Sequence, residues 1–444
     1  MNKKSFSLAC LALFFCFGIG EADAANWIML QGTEPAQAPA LRTFGLIGID
    51  YQRTSDSPLA AGPWKGRPSA LNQIGPELED AEELQVSLLR LGVRGRLAEG
   101  KVNYWVSPLA GSNGISKKGT PSVKFTDVSA TLNLVPHARI RVGQFKQPGS
   151  EEGLQPARLR NYVNPTNVGS QIVNERFIDS DGSPIDDANE PDAPVSGFRD
   201  TGVQVFDAFR AGQWEHTYAV MAGTGSGLAF YNGSGSGRPD WYLHWSSELV
   251  FGGKGPSRQG LKLSGWYQDG EREIRAGPAQ TKETFDRTRY GFAATLRRGP
   301  WRAAGEWIKA DGMIFNGTDG AAVPGAISTN PVPPPPPGST ASFNVLPDEE
   351  ADGWYLDVGY KLFEQFELNA RYDRLNRGTR EALNERRFET LTLGATYRFN
   401  KHYRLLANYQ FRDVEAPRLP SSAVTNQILD DVDDLFSVRF LASF

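Results

Sequence analysis

The stretch Trp241-Tyr242-Leu243-His244-Trp245-Ser246-Ser247-Glu248-Leu249-Val250-Phe251 alternates in character at every residue. One parity reads Trp241, Leu243, Trp245, Ser247, Leu249 and Phe251. The other reads Tyr242, His244, Ser246, Glu248 and Val250. Successive side chains of a strand point to opposite faces, so this stretch predicts a strand with one apolar and one wet face. The rhythm recurs at Trp354, Leu356, Val358, Tyr360 and Leu362, at Leu391, Leu393, Ala395, Tyr397 and Phe399, at Tyr403, Leu405, Ala407, Tyr409 and Phe411, and in the closing Phe436, Val438, Phe440, Ala442 and Phe444. Sixteen such strands are expected. They start near Thr43, Leu84, Lys101, Val123, Ala138, Thr201, Trp214, Asp240, Gly260, Arg287, Trp301, Gly353, Phe366, Phe388, His402 and Asp434. Most fit about nine to eleven residues, the span of a tilted strand crossing a bilayer. The first strand is ambiguous in parity, with Phe44 and Leu46 set against Ile47 and Ile49.

The connections carry a second rhythm. Odd-numbered strands are followed by long polar segments: 54–81, 108–121, 147–200, 223–239, 269–286, 311–352, 376–387 and 413–433. Even-numbered strands are mostly followed by short turns such as Ala98-Glu99-Gly100, Val135-Pro136-His137 and Arg298-Gly299-Pro300, with Gly252–Gln259 the long exception. A secreted sandwich or propeller could also bury its apolar faces, sheet on sheet. The long/short alternation, the strand length and the terminal Phe444 favour an all-β transmembrane antiparallel barrel of sixteen strands, with short periplasmic turns and long extracellular loops.

Composition agrees. The 444 residues carry 49 aromatics and 47 Gly, yet 22% are charged, and the mean hydropathy is −0.41. A net charge of −4 argues against nucleic-acid binding. Lys3 and Lys4, the apolar Leu8–Ile19 and the Ala22-Asp23-Ala24 site read as a signal peptide over 1–24, leaving a barrel over 25–444. Both cysteines, Cys10 and Cys16, fall in the segment expected to be removed, so thiolate chemistry is excluded from the mature chain. The prolines 333–337 predict a stiff surface loop within 311–352. The acidic run 179–192 has some character of a calcium loop, but it lacks the ligand spacing and reads better as solvated. Asn232-Gly233-Ser234 and Asn316-Gly317-Thr318 match the glycosylation pattern weakly.

No catalytic motif, metal set or cofactor site emerges, and His244 reads as a lumen-wall residue. The wet parity carries about fifteen basic residues against about seven acidic ones, Asp127, Glu215, Glu248, Glu306, Asp357, Glu367 and Asp373. An excess of arginine on a wet wall focuses anions, unless the charges pair across strands to brace the barrel.

Arg141-Val142-Gly143-Gln144-Phe145-Lys146-Gln147-Pro148, followed by Glu151-Glu152-Gly153-Leu154, resembles the phosphate-selective porin O and P family. That resemblance implies a sixteen-stranded homotrimer in the bacterial outer membrane, among lipid and lipopolysaccharide. It also implies that the loop 147–200 after the fifth strand folds inward and narrows a channel for small anionic solutes. Arg139, Arg141 and Lys146 would then stand near the constriction, with Arg158 and Arg160 on the loop. Arg90, Arg94, Arg96, Arg289, Arg302, Arg371, Arg398 and Arg404 would continue an anion relay along the wall. Gly149 stands where the family usually has an aromatic, and Arg predominates over Lys. The expectation is a passive diffusion channel. The rival readings are a barrel whose plugged lumen leaves its loops to bind at the surface, and a barrel-embedded hydrolase.

Overall fold

A computed structural model describes residues 26–55, 57–58, 60–61, 65–66, 82–111, 123–175, 197–228, 237–253, 255, 258–276, 281–316 and 344–444. The barrel strands are β1 (Arg42–Arg53), β2 (Glu82–Leu97), β3 (Val102–Ala110), β4 (Lys124–Val135), β5 (Ala138–Lys146), β6 (Arg199–Ala211), β7 (Trp214–Gly223) and β8 (Asp240–Gly252). They continue with β9 (Gln259–Ala276), β10 (Thr281–Arg298), β11 (Trp301–Asp311), β12 (Glu350–Phe363), β13 (Phe366–Arg377), β14 (Arg386–Arg398), β15 (Tyr403–Glu415) and β16 (Leu435–Ser443). Each pairs with its sequence neighbours, and β1 pairs with β16, from Leu46↔Ser443 to Arg53↔Phe436, which closes the barrel. Closure leaves no strand edge unpaired, the condition for a sheet to sit in lipid.

All sixteen expected strands are present. The expected loop 269–286 is not: β9 and β10 pair up to Ala276↔Thr281, leaving 277–280 as the connection. The cause is a change of environment rather than of backbone. The outward parity of β9 runs Leu261, Leu263, Gly265, Tyr267, then Asp269, Glu271 and Glu273. Past Tyr267 the hairpin has outgrown the apolar band, and polar strands keep pairing in water.

The apolar parity faces out, as in Leu243, Leu263, Phe292, Leu356 and Leu393, all exposed. Tyr242, His244 and Ser246 face in and are buried. The ambiguous β1 resolves with Ile47 and Ile49 outward and Leu46, Asp50 and Gln52 inward. Asp50 is held there by Arg439 of the neighbouring strand, at 2.5 Å. Aromatics flank the band: Trp214, Trp301 and Tyr403 at the short-turn end, Tyr51, Trp241 and Tyr267 at the long-loop end. Such belts anchor a barrel at the two membrane surfaces. Among the described residues no helix is long and apolar enough to cross a membrane.

Two segments enter the lumen. One is the loop after β5, with the short helix α2 (Glu151–Leu154). The other precedes β1 and contains α1 (Trp27–Gly32). At the long-loop end, Val168, Ile172 and Val173 of the first segment pack on Ile308, Ala310, Leu375, Phe388 and Val414, and on Ile428 and Leu429 of α3 (Val424–Leu429). The signal segment with both cysteines, the proline run, the acidic run 179–192 and positions 232–234 and 317–318 lie outside the described residues.

Candidate functional site

The inward loop follows Lys146, three residues after Gly143, whose φ of +121° bends β5 near its end. A Cβ there would lie 2.1 Å from the Val128 carbonyl oxygen, so the position admits glycine and little else. Beyond it, Ser150 caps α2 by accepting from the Gly153 N–H at 2.9 Å. The Lys146 ammonium turns back to donate to the Gly153 and Gln155 carbonyls at 2.6 and 2.9 Å. Lys146 is thus the fastener of the loop's first turn rather than an open pore cation. Glu306 on the opposite wall accepts from the Glu151 and Glu152 backbone N–H groups and from the Trp266 indole. This holds the helix start across the lumen.

The loop then travels along the far wall through polar contacts. Asn161 donates to Glu367 at 2.8 Å and the Tyr162 hydroxyl donates to Asp357 at 2.6 Å. The Val163 N–H donates to Asn408, and Asn164 to Gln52 and Gln410. Asn167 donates to Asp373 and Thr390. These anchors lie on β1, β12, β13, β14 and β15, so the loop crosses the lumen and is tied down on the far side.

The segment before β1 meets the start of the loop, on the side of β6 to β9. Asn26 caps α1 and donates to the Ser246 hydroxyl at 2.8 Å. Trp27, Ile28 and Met29 pack on Leu154 and on Phe206, Ala208 and Ala219 of the wall. The Trp27 indole donates to Glu151 at 2.8 Å, Lys262 pairs with the same carboxylate at 2.6 Å, and Gln31 donates to the Leu154 carbonyl at 2.7 Å. Burial pushes the Glu151 carboxyl upward, but the Lys262 ammonium and these donors more than offset it and hold it below the usual glutamate range.

Two spaces remain. A neck of about 80 Å³ is lined by Trp27, by the cations Arg160, Arg258, Lys262, Arg297, Arg302 and Arg371, and by the carboxylates Glu151, Glu152, Glu248 and Asp357. That is room for about five waters. A wider vestibule of about 970 Å³ at the short-turn end is lined by Arg42, Arg94, Arg96, Arg139 and Arg158 against Glu34 and Asp207.

The expected relay arginines divide by partner. Arg302 is fixed by Asp357, Glu367 and Asn369, Arg398 by Glu367, Arg139 by Asp207, and Arg94 by Glu34. Arg371 stands near Glu152 and Asp373 and lies over the Tyr162 ring. Arg96 donates to the Ala36 and Glu99 carbonyls, Arg160 to the Glu152 carbonyl, and Arg404 to the Arg160 carbonyl. Arg289 serves four carbonyls, those of Thr288, Asp311, Gly312 and Met313, at the long-loop end. Arg141 donates to Ser129 and stacks on Phe145, and the Arg90 Nε is buried without a partner. Arg158 is exposed in the vestibule.

Sequence reasoning found Asp357, Glu367 and Asp373 among the residues that neutralise this wall and missed Glu34, Asp50, Glu151, Glu152 and Asp207. Glu34 belongs to a stretch with no strand periodicity, and Glu151 and Glu152 arrive on a loop. The Asn26 cap directly before an apolar run was the available signal for α1. Among the described residues no group of three or more His, Cys, Asp or Glu is placed to hold a metal.

No protein-family model matches the chain, and no curated protein matches it by sequence. Solved structures do match. OmpF of Salmonella typhi, in complex with daunomycin, aligns at 10% identity with a TM-score of 0.53, over 91% of this chain and 97% of that one. A loop L8 deletion mutant of OmpT, an outer membrane protein of Vibrio cholerae, aligns at 10% identity with a TM-score of 0.52, over 91% and 99%. The fold is that of an outer-membrane β-barrel. At such identity the likeness is one of fold alone. Within the outer-membrane barrel, the segment Arg141–Pro148 stands where β5 ends and the chain turns into the lumen.

Proposed function

We propose that the protein is a passive, water-filled channel of the bacterial outer membrane, admitting small hydrophilic solutes with a preference for anions, and assembled as a homotrimer. One observation carries the reading. Within a closed barrel, the inward loop leaves a charged neck whose one cation without an ion pair or hydrogen bond among the described residues is Arg297. Cations exceed carboxylates by six to four around the neck and by five to two around the vestibule. A low-dielectric wall with that excess raises the local concentration of anions. Most wall arginines are engaged by carboxylates, carbonyls or hydroxyls of the protein, so the preference is modest, and phosphate is one candidate solute among small anions. The proposal includes no bond-making step. Ser246, the hydroxyl nearest in sequence to His244, is engaged by Asn26.

A second reading, a plugged barrel acting through its surface loops, is favoured by the narrowness of the neck and by the two segments that meet inside it. Single-channel recording in a planar bilayer separates the two. The channel reading expects discrete conductance steps and, under a KCl gradient, a reversal potential of anion-preferring sign. Cation preference overturns the anion claim, and absent conductance from folded protein overturns the channel. Added phosphate then tests for block, and crosslinking in detergent should trap three copies.

A further inference from the structure

The vestibule already contains a carboxylate. Glu34 reaches out of the segment before β1 to pair with Arg94 of β2, and with Arg42 of β1 at 3.2 Å. Its carboxylate is almost fully covered, with 2% of the side chain exposed, while Arg42 keeps 46%. Arg94 is built for this partner. Its guanidinium lies 4.1 Å over the Trp105 ring and also donates to the Thr33 carbonyl at 2.9 Å, which fixes the plane it presents. A planar, oriented guanidinium beside a second, half-open one is a fork for a carboxylate. The space in front of it opens to the short-turn end.

We propose that Arg42 and Arg94 form a carboxylate-binding site at the short-turn mouth, and that Glu34 is its built-in occupant. A carboxylate solute that takes the two arginines displaces Glu34 and frees the preceding segment from the lumen. This deepens the channel reading by naming carboxylates as a solute class and the segment as their gate. The coupling is physical. The segment is held by the side chains of Asn26, Trp27, Gln31 and Glu34, by its Leu30, Thr33, Ala36 and Ala40 carbonyls, which accept from Arg94, Arg96 and Tyr104, and by the packing of α1 on the wall. Loss of the Glu34 contact removes the one that involves two full charges. Six helical residues have little stability of their own once that contact is gone.

Thiol labelling of the full mature barrel tests this without relying on conductance. Met29 is 4% exposed against the wall, so Met29→Cys should react with a maleimide only when the segment leaves. Ile28→Cys, equally covered, is a second reporter should the first disturb packing. Expected results are labelling roughly tenfold or more faster in Glu34→Gln, the equivalent of one charge-assisted hydrogen bond, and faster labelling of the Glu34 protein on adding succinate. The succinate effect should vanish in Glu34→Gln, and neutral succinamide at matched ionic strength should do nothing. Unchanged labelling in Glu34→Gln, or equal acceleration by succinamide, overturns the proposal. If labelling responds as expected but no variant conducts, the site stands and the channel reading falls.

Discussion

Arg302 shows what an arginine does inside this barrel. Its guanidinium is shared between Asp357, Glu367 and Asn369, with about a tenth of the side chain exposed. Removing it leaves Asp357 covered without its cation and Glu367 with Arg398 alone. Arg302→Ala should therefore lower barrel stability by about 3 kcal/mol, read as an earlier transition in thermal or urea unfolding in detergent. Arg297 is the contrasting case. It lines the neck with no ion pair or hydrogen bond among the described residues, so more of its charge is left to act on passing ions. Arg297→Gln, which removes the charge without adding a carboxylate beside Glu151 and Asp357, should leave the unfolding transition within about 1 kcal/mol and move the reversal potential under a KCl gradient toward cations. The two arginines face the same lumen and cannot be told apart in the sequence, because parity reports which face a residue takes and not which partner it meets.

At the scale of elements, the alternation of residues located every barrel strand, while the two intruding segments escaped it. Lys146 is the instructive residue. Its position at the end of β5 was legible, but its task of fastening the Gly153 and Gln155 carbonyls depends on a turn that forms three to nine residues later. Gly143 controls the same turn from the strand side. Gly143→Ala must hold alanine at φ +121° and push its Cβ against the Val128 carbonyl. A cost of about 2 kcal/mol follows, and the β4–β5 pairing should loosen. The expected readout is a lower unfolding midpoint together with noisier single-channel current, since the loop that narrows the neck hangs from this bend. Helix α1 was not expected at all, because a six-residue helix stabilised by packing on Phe206 leaves almost no periodic trace.

At the scale of the whole molecule, the outward band and the wet interior are separate requirements met by one chain. Leu356, mid-strand on β12, is 53% exposed on the apolar face. Leu356→Arg should reduce folding stability in lipid vesicles by about 3 kcal/mol, whereas a soluble β-protein would tolerate the same change at an exposed leucine. The sequence by itself determined the strand count, the order of long and short connections and the apolar face. Those features are local: period two and turn composition are written in consecutive residues. The tertiary structure alone decided that Glu34, Glu151 and Glu152 enter the lumen to face the wall's cations, that most arginines brace rather than attract, and that β9 and β10 extend past the membrane. Each of these depends on residues about ten to more than two hundred positions apart meeting across a closed barrel, where the low-dielectric enclosure makes the pairing of every charge a matter of position in space.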